Sequence, residues 1–241
     1  MNFLYYLASI GESNFEKKID ILINNINIIY KKLQSKFDII INLYEIDEKY
    51  KNKLELLKKM ESINNVYIYI KKGILTELFL NNPYNELLIN YDYILFILDD
   101  VYLKYFDILD MIEKKNKYNL RIISPKVIKS THLFMNNNKG TILTNFIECY
   151  CLLMKPKDLL LFFSLQTESN CWMWGTDLLY GYYKINVGID FNNYAIHSFP
   201  NRINKDAYRL HLEYLKYKKL PFNNYLDIFS KYSPYIKILS K

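Results

Sequence analysis

Two adjacent carboxylates, Asp99 and Asp100, close an apolar run that begins at Tyr91 and ends at Leu98. Acids at the end of a buried segment are costly to desolvate, and they repel each other. A hard divalent cation of the Mg²⁺ or Mn²⁺ type offsets both costs and keeps positions open for phosphate oxygens. The same pair also suits a plainer role, one acid capping the next helix and the other in water. A second group is Trp172-Met173-Trp174-Gly175-Thr176-Asp177, which holds both tryptophans of the chain. An indole offers a flat apolar face of the kind a sugar ring packs on, and Asp177 beside it could take a proton from a hydroxyl. Equally, the tryptophans could fill a core, with Gly175 in a turn and Asp177 capping a helix over Leu178–Tyr182.

Two further side chains have suggestive settings. His197 ends the strand-like segment Tyr194–His197, where a neutral imidazole could complete a metal site or serve structurally. Glu148 interrupts the apolar stretch Thr144–Met154. An unpaired buried carboxylate is expensive, so Glu148 either alternates to the solvent face or faces a site. His132 and His211 have no comparable surroundings.

The elements that must position these groups alternate. Phe3–Ile10 is a buried strand, and Glu16–Leu33 has helical spacing at Ile19, Leu22, Ile23, Ile26, Ile29, Tyr30 and Leu33, capped by Ser13 or Asn14. Strand Phe37–Tyr44, helix Asp47–Met60, strand Val66–Ile70, a helix from Gly73 to Phe79 and strand Tyr91–Leu98 follow. This β-α-β-α-β-α-β order predicts a mostly parallel sheet with helices on both faces. Ligands of such sheets bind beyond the carboxyl ends of the strands, where Asp99 and Asp100 lie. Further on, Leu120–Ser124, Thr144–Met154, Lys184–Asp190 and Tyr194–His197 read as strands, and Lys157–Ser164, Asn204–Leu220 and Tyr225–Tyr232 as helices. One domain over 1–203 with a C-terminal helical appendage over 204–241 is the economical organisation.

With 51% hydrophobic and 24% charged residues, the 241-residue chain is of the folding rather than the disordered class. The net charge of +7 admits nucleic acid, anionic membrane or a diphosphate as partners. Nucleic-acid binders interleave basic and aromatic residues over a surface; here that pattern is confined to Tyr208–Lys219, where Lys216, Lys218 and Lys219 simply complement a helix dipole. No nucleic-acid partner is expected, while peripheral membrane contact through Arg209 and those lysines stays open. Cys149, Cys151 and Cys171 lack zinc spacing and fit buried reduced thiols, Cys149 and Cys151 sharing one strand face. The N-terminus reads as a strand rather than a signal peptide, no apolar run is long enough to span a membrane, and the expectation is a cytoplasmic protein.

Taken in order, the motifs resemble those of GT-A glycosyltransferases, in particular small viral and plant-like members. Tyr91-Asp92-Tyr93-Ile94 precedes Asp99-Asp100; Ser124-Pro125, Trp174-Gly175-Thr176-Asp177 and Val187-Gly188-Ile189-Asp190 follow, and then His197. The resemblance spans roughly residues 1–200. It implies an α/β GT-A (Rossmann-like) fold and transfer of a sugar from a nucleotide-diphosphate donor, UDP-linked by preference, to a glycan or glycoconjugate hydroxyl. It further implies Mn²⁺ or Mg²⁺ as cofactor. Asp100 matches the metal ligand that ends an Asp-x-Asp motif, Asp99 its middle position near the donor, and His197 the late histidine of the metal shell. Asp177 matches the base of inverting members. Glu148 matches an acceptor-side acid, with Trp174 and Gly175 beside it. Ala8, Ser9 and Tyr44 fall where the nucleotide base binds, and Lys72 is a candidate phosphate contact. One departure is Leu98, which stands where the motif's first acid is expected and admits a member that binds without catalysis.

Overall fold

The computed structural model describes residues 1–11, 13–44, 51–129, 139–168, 170, 173, 175–199, 207–232 and 236–240. Strand β1 (Phe3–Ile10) is buried along its whole length because both sheet faces are covered. Helix α1 (Phe15–Leu33) lays Ile19, Leu22, Ile26 and Ile29 against it. The chain enters α1 through Asn14, whose backbone is left-handed and whose side chain makes no capping bond; the expected cap is thus one of backbone shape. Strands β2 (Phe37–Leu43) and β3 (Ile63–Ile70) follow, separated by α2 (Lys51–Lys58); α3 (Leu75–Leu80) and a 3-10 stretch over Pro83–Asn90 lead to β4 (Tyr93–Ile97).

After β4 come β5 (Val101–Tyr105), α4 (Ile108–Lys117), β6 (Ile122–Ile128), β7 (Thr141–Thr144), β8 (Cys151–Met154), α5 (Pro156–Leu165), α6 (Thr176–Tyr182), β9 (Val187–His197), α7 (Ala207–Tyr217), α8 (Tyr225–Lys231) and β10 (Ile236–Ser240). The strands form one sheet in the order β10-β7-β9-β6-β8-β4-β1-β2-β3, with β5 paired to β9. The parallel run expected from the crossovers covers β3-β2-β1-β4. Beyond it β8 is antiparallel to both β4 and β6, and β9 returns parallel to β6. One core lies between the sheet and α1, α2 and α4. A second, rich in Phe79, Phe96, Phe162 and Phe163, lies on the other face.

The structure corrects several expected boundaries. The stretch 144–154 is not one strand: β7 and β8 are separated at 145–150, because Phe146 and Ile147 fill two different cores and the Asn145 side chain bonds Tyr232 O at 2.9 Å. Cys149 and Cys151 therefore do not share a strand face, and Glu148 is in a loop. The two segments expected at 184–197 are one strand, β9, with its register to β6 broken between Pro125 and Lys126. Within it Gly188 is needed for packing, since a Cβ there would meet Leu120 Cδ1 at 2.5 Å and Ile142 O at 2.9 Å. The C-terminal segment is helical over α7 and α8 and then adds β10 to the edge of the sheet, antiparallel to β7.

Candidate active site

The acid pair lies in the tight turn that joins β4 to β5. Leu98 N–H bonds Tyr150 O at 3.0 Å, and Val101 N–H reaches back to Leu98 O at 3.4 Å. The chain then reverses into β5, which pairs antiparallel with β9 so that Val101 faces His197. Ser198 N–H closes the junction on Asp100 O at 2.7 Å. This register brings together two residues 97 positions apart, and His197 Nε2 lies 2.8 Å from Asp100 Oδ2. No helix follows the pair, which removes the capping alternative; α4 is capped by Asp107, whose Oδ1 accepts from Leu109 N at 3.1 Å and Asp110 N at 3.3 Å.

The two acids differ in surroundings. Asp99 is paired to Lys18 Nζ at 2.7 Å. Burial pushes its carboxyl up to about 6, Lys18 opposing and the Asp100 charge adding to the rise. Asp100 keeps one buried oxygen, Oδ1, with no hydrogen-bond partner among the described residues. Burial works to lower the His197 pKa, but the Asp100 bond and charge, a backbone bond at Lys129 and the Glu148 charge outweigh it, so the imidazole is raised. The Tyr150 ring packs on His197 with centroids 4.8 Å apart, fixing the imidazole plane.

Asp100 and His197 fit a divalent cation by donor chemistry: one carboxylate and one imidazole, with an unsatisfied carboxylate oxygen beside them. Among the described residues no group of three or more His, Cys, Asp or Glu side chains gathers to hold a metal. Asp100 and His197 could thus supply two ligands, a number that would suit a metal shared with a phosphate-bearing substrate more than a closed structural site.

Glu148, in the loop after β7, and Asp177, on α6, both lie near Cys149. Asp177 is half-buried in the first turn of α6, and Gly175 supplies the left-handed turn, φ 79°, that starts the helix. Burial drives the Cys149 thiol well above its ordinary value; the Asp177 charge, and more weakly that of Glu148, add to the rise, while the bond from Tyr180 opposes it. Glu148 also acts on His197, whereas Asp177 acts on Cys149 and Tyr180. Cys149 stays protonated and is no nucleophile. Trp172 and Trp174 lie outside the described residues.

The nucleotide-side candidates are less concentrated. Ala8 and Ser9 are buried in β1 near its carboxyl end, and Ala8 belongs to the second core. Tyr44 follows β2, donates its N–H to Ile10 O at 2.9 Å and lays its ring over Gly11. Lys72 is exposed just beyond β3, three strands from β4 and so about 14 Å across the sheet; it is not brought next to the acid pair. Missed from sequence were Lys18, Tyr150 and Asn25. Buried Asn25 on α1 donates to Val101 O at 2.8 Å and to Tyr5 OH at 3.2 Å, and accepts from Leu103 N at 2.8 Å. It thereby holds β5 against the helix. Its signal was a polar residue on the apolar stripe of α1, one turn after Leu22.

No family model matches the sequence, and no curated protein matches it. Solved structures do. GalNAc-T7 with UDP, GalNAc and Mn²⁺ superposes with a TM-score of 0.65 at 8% identity, over 95% of this chain and 50% of that one. The fold is GT-A. The mannosyltransferase PcManGT from Pyrobaculum calidifontis, in complex with GDP-Man and Mn²⁺, gives 0.59 at 9% identity over 95% of this chain and 63% of its own. S. aureus TarS gives 0.52 at 10% identity over 90% and 39%. The chain thus spans about half the length of these structures. In this GT-A sheet the turn after β4 carries Asp99 and Asp100, and Leu98 before them is half-buried against both cores.

Proposed function

We propose that this protein is a metal-dependent glycosyltransferase that moves a sugar from a nucleotide-diphosphate donor, preferentially UDP-linked, to a hydroxyl of a glycan or glycoconjugate, with inversion. The observation that carries the reading is the Asp100–His197 pair with its unsatisfied buried oxygen, at the carboxyl end of β4 in a GT-A fold. Asp100 and His197 would hold a cation of the Mn²⁺ or Mg²⁺ type, whose chemistry is to neutralise the departing diphosphate. Asp99, restrained by Lys18, borders the donor, and the ends of β1 and β2 at Ala8, Ser9 and Tyr44 receive the nucleotide, while Lys72, three strands from β4, is left without the phosphate contact expected of it. Asp177 takes the proton of the acceptor hydroxyl as its oxygen bonds to the anomeric carbon and the bond from that carbon to the diphosphate breaks. Glu148, Gly175 and Trp174 form the acceptor side. Holding the two substrates in line supplies much of the remaining acceleration.

A second reading is supported by Leu98 and by the Lys18 pairing of Asp99, which together remove two acids from contact with a donor. In that case the protein binds a nucleotide sugar or glycan without turning it over. Calorimetric titration of nucleotide sugars with and without Mn²⁺, combined with product analysis, separates the two. Replacing Asp177→Asn should abolish transfer and leave Mn²⁺-dependent nucleotide binding within about twofold; unchanged transfer would remove Asp177 from the role of base.

A further inference from the structure

The structure assigns a membrane-docking face at the end of the sheet opposite the acid pair, and the partner is the surface of an anionic phospholipid bilayer. A groove of about 780 Å³ opens where β4 begins, lined in part by Met1, Ile89, Tyr93, Lys155, Lys157 and Leu160. Three of these are large apolar side chains held in water: Met1 is 55% exposed, Ile89 73% and Leu160 43%. Single exposed hydrophobics are ordinary, but several ringing one concavity mark an interaction surface.

The charges around it choose the partner. Lys155 and Lys157 flank Pro156 at the start of α5, where the positive end of the helix dipole adds to theirs. Exposed Lys155 places its Nζ over the Tyr93 ring, 5.9 Å from the ring centre, a cation beside a tyrosine as at a membrane interface. Exposed Lys117 ends α4 next to Asn116, which bonds Tyr93 OH at 2.7 Å. The acid in the lining, Asp92, accepts from Asn2 N–H at 2.7 Å. Apolar side chains framed by lysines match an anionic leaflet, with the side chains entering the acyl boundary and the lysines meeting headgroup phosphates.

This face differs from the basic helix singled out in the sequence. There Arg209 is paired with Glu213 at 2.8 Å and Lys218 donates to Ser164 O at 2.6 Å. Because β4 runs from Tyr93 at the groove to Ile97 beside the acid pair, docking would leave the cleft a strand length, about 13 Å, away and facing off the membrane.

The test is co-sedimentation of the full chain with vesicles of 70% phosphatidylcholine and 30% phosphatidylserine, against pure phosphatidylcholine, at 0.1 M and 0.5 M NaCl. The expected result is binding to the anionic vesicles at 0.1 M salt, at least tenfold weaker on neutral vesicles and at 0.5 M salt. The double variant Lys155→Glu/Lys157→Glu should lose at least tenfold, and Ile89→Ser several-fold, both with unchanged Tm. Lys104→Glu/Lys237→Glu, an equal charge change on exposed strand positions elsewhere, should stay within about twofold of the parent. No binding to anionic vesicles at 0.1 M salt overturns the proposal. So does an equal loss in both lysine pairs, or a dimer in light scattering that Ile89→Ser dissociates.

Discussion

Two carboxylates of this molecule that bury an oxygen, Asp190 and Asp100, are provided for in opposite ways. Asp190 is fully buried at the bulge of β9, and both its oxygens are occupied. Oδ2 accepts from Lys114 Nζ at 2.9 Å and Asn193 Nδ2 at 2.6 Å, and Oδ1 from Thr141 Oγ1 at 3.2 Å and Asn192 N at 3.3 Å. Asp100 meets His197 through one oxygen, and the other is buried without a partner among the described residues. A saturated acid has no lone pair left for a ligand, so its work is to fasten α4 to β9. An unsatisfied one carries a desolvation cost that a ligand can remove. Both were acids at the end of an apolar run in the sequence; in the structure Asp190 is fully buried and Asp100 half-buried, and what sets them apart chemically is that every oxygen of Asp190 is satisfied and one buried oxygen of Asp100 is not.

The sharpest way to break that comparison is to neutralise each acid. Asp190→Asn should cost about 3 kcal/mol, because it removes the buried one of Lys114's two carboxylate partners and disrupts a buried network, yet leave Mn²⁺ affinity of the folded protein unchanged. Asp100→Asn should leave stability within about 1 kcal/mol and abolish Mn²⁺ binding and transfer. Urea denaturation and a Mn²⁺ titration of the two variants decide it. Similar profiles for both would show that the distinction has no functional content.

The next effect concerns how Asp100 is held in place. Asn25→Ala removes the partner of Val101 O and of Leu103 N–H, and with it the clamp on the strand that carries Asp100 toward His197. Two stranded backbone groups predict a loss of about 3 kcal/mol. They also predict weakened Mn²⁺ binding, though Asn25 bonds the neighbouring strand rather than Asp100 or His197. A stability loss with intact metal affinity would mean that β5 is held by its pairing to β9 alone.

Much of this was legible beforehand, and the gaps have physical causes. Periodicity located β1, α1, β2 and α5 to within one or two residues, since each buries a continuous face. The acid pair and His197 stood out as charge or imidazole at the ends of apolar runs. Strand β5 was missed because five residues, Val101–Tyr105, follow two acids and carry an exposed lysine and tyrosine, with no alternation long enough to read. Yet β5 is what joins Asp100 to His197. Lys18 and Tyr150 act on the site through tertiary contacts that no local pattern encodes. The stretch 144–154 was misread for the opposite reason: its apolar run is continuous although its residues serve different cores.

The smallest effect repeats the lesson with the opposite charge, on two consecutive lysines of α4. Burial acts to lower both. For Lys114 the bonds and charges of Asp110 and Asp190 outweigh it, and the pKa is raised. Lys115 has a backbone acceptor instead, Leu120 O at 2.8 Å, and burial brings it down to about 8, with Asp158 opposing and Lys155, Lys157 and Arg121 assisting. Below pH 8 Lys115 is charged in both folded and unfolded chains, and the folded state bears the full cost of burying the charge. Between that pH and its ordinary 10.5 the folded protein has released a proton that the unfolded chain still binds, so this group's contribution to stability rises with pH. Lys115→Met removes the titration and keeps most of the apolar stem. Its stability relative to the parent should therefore fall by about 2 kcal/mol between pH 7 and pH 9.5, measured by urea denaturation of both proteins so that shared titrations cancel. A difference independent of pH would place the Lys115 ammonium in water and leave Lys114 without its contrast.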